Sequence, residues 1–88
     1  MSLVLDPVVR ARGVAVAALC RVTVVPVARN SGVSVWADKR PLALLLRSDG
    51  ATRCVMPDGA PMPEAEVERL CPGVLVRFAG MCDTADHP

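Results

Sequence analysis

Leu42-Ala43-Leu44-Leu45-Leu46-Arg47-Ser48-Asp49-Gly50-Ala51-Thr52-Arg53-Cys54-Val55-Met56 is the stretch that decides how this chain folds. Its apolar first half, bounded by Pro41 and by Ser48-Asp49-Gly50, has the length of a strand, although leucine itself favours helices. Asp-Gly supplies two residues that accept positive φ, which is what a tight hairpin turn requires. The mixed second half ends at Pro57-Asp58-Gly59. The reading is a β-hairpin over residues 42–56.

Toward the C-terminus, Pro63 suits a first helical turn and Glu64 and Glu66 suit the positive end of a helix dipole, with Arg69 at the other end. Val67, Leu70 and Cys71 fall on one face of that helix, and Pro72-Gly73 stops it. Val74-Leu75-Val76-Arg77-Phe78 reads as a last strand, and Gly80 to Pro88 as a frayed tail.

Toward the N-terminus, Val33 to Ala37 alternates as a short strand paired back on Arg21 to Ala28 across the turn Arg29-Asn30-Ser31-Gly32. Pro26 places the earlier strand at an edge or near its end. Asp38-Lys39-Arg40-Pro41 reads as a polar loop. Asp6-Pro7 would open a helix, and the alanines from Ala11 to Ala18 would sustain it. Gly13 and the valines Val8, Val9, Val14 and Val16 oppose a helix, so residues 7–20 are read as strand.

The expected fold is α+β: a small, mostly antiparallel β-sheet or half-open barrel of five to six strands, with one short helix near the C-terminus. An SH3-like barrel or a β-grasp-like sheet would both satisfy this order. Residues 1–80 are expected to form a single small domain and residues 81–88 a flexible C-terminal tail.

Composition narrows the function classes. Hydrophobic residues make up 52% of the 88 positions, which excludes disorder across the whole chain. With no Tyr, one Phe and one Trp, the core must be filled by Val, Leu and Ala. So much apolar content on so short a chain leaves apolar surface outside, which points to a homo-oligomer or a protein partner. A net charge of +1 offers no bulk attraction to nucleic acid or to an acidic membrane surface. Nine of the ten basic residues are Arg, which fits the coding bias of a GC-rich bacterial genome.

The four cysteines, Cys20, Cys54, Cys71 and Cys82, contain no Cys-x-x-Cys pair, so no metal site is expected. Cys20, Cys54 and Cys71 have apolar neighbours and read as small buried hydrophobes, whereas Cys82 in the polar tail reads as an exposed thiol. The longest apolar stretch, Gly13 to Ala28, is broken by Arg21 and Pro26 and is too short to span a bilayer. Leu19 before Cys20 is not the small residue of a signal cleavage site. The expected location is the cytoplasm.

Catalytic constellations are thin. His87 is the single imidazole, next to the last residue. Asp49 and Asp58 are explained by turns, and the three Glu by helix electrostatics. Neither Gly-x-x-x-x-Gly-Lys nor Gly-x-Gly-x-x-Gly occurs. No catalytic residue and no cofactor is assigned.

The binding candidates are Trp36, Lys39, Arg40, Arg47 and Arg53. Trp36 is either a core anchor or a contact residue. Arg47 and Arg53 would concentrate positive charge if the hairpin set them opposite each other. Of Leu42, Leu44 and Leu46 and their alternates Ala43 and Leu45, one set should meet the core and the other a second subunit. These features describe a small non-enzymatic protein-interaction or assembly module that self-associates. The alternatives are a nucleic-acid-binding small β-barrel using Arg47 and Arg53, and a small ligand-binding protein or enzyme with a site shared between subunits.

Overall fold

A computed structural model describes residues 2–30 and 32–85. The elements are β1 (Ser2–Leu5), β2 (Val9–Ala11), β3 (Val14–Arg29), β4 (Gly32–Ser48), β5 (Ala51–Val55), α1 (Glu64–Leu70) and α2 (Val74–Ala85). The five strands make one curled antiparallel sheet in the order β1-β3-β4-β5, with β2 pairing further along the edge of β3 that β1 occupies. The α+β expectation therefore holds, with a second helix added.

The deciding hairpin forms as read. Asp49 and Gly50 take φ of 52° and 75°, and the register sets Leu45 opposite Cys54 and Leu44 opposite Val55. The second Asp-Gly turn closes with the Asp58 carboxylate accepting the Ala60 N–H at 2.9 Å.

Two boundaries differ from the sequence reading. The strands expected on either side of Arg21 are one 16-residue strand, β3. The loop expected at Asp38-Lys39-Arg40-Pro41 is the middle of the 17-residue strand β4. Charge does not break a strand whose faces reach water, and here the charges have partners: Lys39 Nζ lies 2.6 Å from Asp6 Oδ1 and Arg40 Nε 2.8 Å from Asp38 Oδ2. Pro41 is accommodated by a β-bulge: Leu19 faces Ala43 but Cys20 faces Pro41, so β4 carries Leu42 as an extra residue.

The core lies on one face of the sheet. Ala15, Ala17 and Leu19 of β3, Ala43 and Leu45 of β4 and Cys54 of β5 are buried against Val67 of α1 and Val74, Phe78 and Cys82 of α2. Alanine at three of the six sheet positions lets the helices sit close to the backbone. On α1 only Val67 is buried; Cys71 just beyond it is half-buried, and Leu70, expected on the same face, is exposed.

The stretch expected as a last strand, Val74 to Phe78, is helical. Read as a strand, Val74, Val76 and Phe78 share a face. In the structure Val74 and Phe78 are fully buried and Val76 is 79% exposed. The helical period becomes visible only when Cys82 is included, since 74, 78 and 82 recur at four-residue steps. Residues 81–85, expected in the tail, are the last turns of α2, and Cys82, expected to be exposed, is buried. Arg10 of β2 donates to the Cys82 carbonyl at 3.0 Å, placing a cation near the C-terminal end of the helix. His87 lies outside the described residues.

Candidate interaction surface

The radius of gyration is 15.7 Å, whereas a compact chain of this length has about 12 Å. The excess comes from β3 and β4, which run past the rest of the sheet. β1 pairs with β3 only up to Val22, and β5 pairs with β4 only from Leu44. Beyond these limits the ribbon Val24–Ala37 has no other strand beside it among the described residues. Six residues per strand make this arm about 20 Å long.

Both faces of the arm are apolar. The register pairs Val25 with Trp36 and Val27 with Ser34 on one face, and Val24 with Ala37, Pro26 with Val35 and Ala28 with Val33 on the other. Val33 is 70%, Val35 66% and Trp36 56% exposed, and Val24, Val25 and Val27 are exposed as well. A two-stranded ribbon of this kind is marginally stable alone in water, and its apolar residues find no cover among the described residues.

The second face of the sheet continues this surface into the body. Val16, Ala18, Leu44, Leu46 and Val55 point away from the helices and are half-buried. The alternation therefore divides as expected, with Ala43 and Leu45 in the core and Leu44 and Leu46 on the open face. A depression of about 450 Å³ lies there, lined by Asp6, Val9, Val16, Ala18, Lys39 and Leu44.

The binding candidates are not brought together. Trp36 is on the arm. Lys39 is on the open face, paired with Asp6, and Arg40 is exposed beside Asp38 and faces Arg21 across the ladder. Arg47 faces Thr52, donating to its Oγ1 at 2.9 Å, and Arg53 faces Leu46. One register step separates these pairs, so Arg47 and Arg53 lie on opposite faces of the sheet and build no common basic patch. Arg47 instead lines a polar cleft of about 270 Å³ with Arg10, Asp49 and Asp83, where both signs of charge are present. The arm valines were missed as candidates. Their signal was valine at successive positions of a strand, which demands cover on both faces.

Two of the thiols, Cys20 and Cys54, are held in the protonated, poorly nucleophilic form. Burial, then the Asp6 charge, raises the Cys20 thiol above its ordinary range, and its Sγ lies 3.7 Å from Asp6 Oδ2. Burial, then the Glu64 charge, raises Cys54 likewise. Lys39 is raised first by its hydrogen bond to Asp6. Among the described residues no group of His, Cys, Asp and Glu gathers at metal-ligating spacing. No described helix is long and apolar enough to cross a membrane.

These directions fix a pH dependence. Above about pH 9 the unfolded thiols lose protons that the folded state retains, so stability falls as pH rises. The Lys39 contribution has the same sign, being complete below the ordinary lysine range and lost as pH climbs through its raised folded value. The urea midpoint should therefore be lower at about pH 10 than at about pH 8, with a smaller drop in a Cys20→Ala/Cys54→Ala variant. A midpoint that rises over that interval would contradict the assigned burial.

Comparison with known protein families, curated proteins and solved structures finds no match.

Proposed function

We propose that this chain is a small non-enzymatic interaction module that self-associates, with the arm and the open face of the sheet as its contact surface. The observation that carries the reading is the arm: exposed valines and the single tryptophan sit on a ribbon that buries nothing in the body. Loops and ribbons held out from a rigid scaffold are where recognition concentrates, and exposed tryptophan is favoured in interface hot spots. The half-buried open face adds apolar area continuous with the arm. The free thiols of Cys20, Cys54 and Cys71 suit a reducing compartment, and with the arginine-rich composition they favour a bacterial cytoplasmic setting.

Light scattering coupled to size-exclusion chromatography, with reductant and at two salt concentrations, tests this. The weight-average mass should rise from the 9.3 kDa of the chain toward twice that value with concentration, and salt should change it little. A mass of 9.3 kDa at every concentration would overturn self-association.

A further inference from the structure

The two edges of the arm are not equivalent. The Asp6 N–H donates to the Ala18 carbonyl at 2.9 Å, so even-numbered positions of β3 turn their backbone groups to its outer edge. Alternation carries this to Val24, Pro26 and Ala28. Pro26 thus removes a donor from the outer edge of β3 and leaves the β3–β4 ladder intact. Its partner Val35, with Val33 and Ala37, turns its own N–H and C=O groups to the outer edge of β4. No strand lies beside that edge, among the described residues, between Gly32 and Ala43.

We infer that the Val33–Ala37 edge of β4 pairs antiparallel with the same edge of a second copy, about a two-fold axis at Val35, to make a four-stranded arm sheet. The inference rests on the self-association proposed above and specifies its site. In this register Val35 faces its counterpart and Val33 faces Ala37 of the second copy, so all three outward apolar positions are matched.

Two features favour a second copy of this chain as the occupant. The first is charge. Arg29 has no ion-pair partner among the described residues and faces Gly32 in its own ladder. The register sets Gly32 opposite Asp38 of the second copy. With no side chain on Gly32, the Arg29 guanidinium reaches over it to the Asp38 oxygen that Arg40 leaves open, and symmetry makes the contact twice. The second is closure. The new outer edges are both β3 edges carrying Pro26, so addition stops at a dimer instead of propagating as a fibre. The contact is small against the 1,200–2,000 Å² that is typical of stable complexes, so the dimer should exchange readily with monomer.

The test is sedimentation velocity over a concentration series, with circular dichroism to confirm each variant's fold. Val35→Pro deletes one outward N–H per copy without touching the β3–β4 ladder, and should weaken association about tenfold or more. Arg29→Asp and Asp38→Arg should each weaken it about threefold or more, and the double exchange should restore it. Val35→Cys should form a disulfide dimer on oxidation, whereas Val33→Cys, which faces Ala37, should not. Association that ignores Val35→Pro, with no restoration by the double exchange, overturns the arm pairing and leaves self-association through another face. A wild-type chain that stays monomeric throughout overturns both.

Discussion

Phe78→Ala should bring the chain close to its folding midpoint at 25 °C without denaturant, with about half of it unfolded. Phe78 is the only phenylalanine, is fully buried, and is the largest side chain of the core. Removing a buried phenylalanine costs about 3–5 kcal/mol. A chain of 88 residues has about 4–13 kcal/mol in total, from about 0.05–0.15 kcal/mol per residue. The low end applies here, because the described residues of the arm contribute no fully buried side chain. Val76→Ala, two residues away and almost bare of contacts, should change stability by less than about 0.5 kcal/mol. The contrast tests the helix itself. In a strand, positions 76 and 78 would share a face and behave alike. Urea denaturation followed by far-UV circular dichroism reads both variants, and equal losses would mean that α2 is misassigned.

Replacing Val24–Ala37 with Asn-Gly should abolish self-association and spare the fold. Thr23 and Asp38 face each other in the ladder, so a two-residue turn can close the strands at that point. Among the described residues every buried hydrophobic one lies outside the excised segment, at positions 15–20, 43–45, 54 and 67–82. Stability should therefore shift by no more than about 1 kcal/mol, while light scattering should report the mass of a single shortened chain at all concentrations. Association that survives the excision would assign the contact to the open face around Leu44 and Leu46. Loss of the fold would mean that the arm stabilises the body through the bulge.

The features legible in the sequence were those with a local cause. Asp49-Gly50 marked the hairpin because few other dipeptides accept positive φ at both positions. Pro63 and Glu64 marked α1, and Arg29 to Gly32 marked the reversal between β3 and β4. What escaped depended on partners distant in the chain. Lys39 in mid-strand is supported by Asp6, 33 residues away, and no local rule supplies that carboxylate. The strand reading of Val74 to Phe78 came from a window too short to reveal a four-residue period. Trp36 illustrates the limit at the site. Its type suited a core anchor or a contact equally, and only the unequal lengths of β1, β3, β4 and β5 place it on the arm.

The bulge at Leu19 and Cys20 has a mechanical consequence. It interrupts the regular β3–β4 ladder just inside the base of the arm, where β1 alone spans it, so a tilt of the arm would be taken up there. From Cys20 to the tip at Arg29 the lever is about 30 Å long, and a tilt of roughly 10° displaces the tip by about 5 Å. Two bodies joined at their arms would be coupled through a pair of such pivots. The angle between them would then be compliant even where the joint itself is well registered, and stiffening the pivot would be the way to set it.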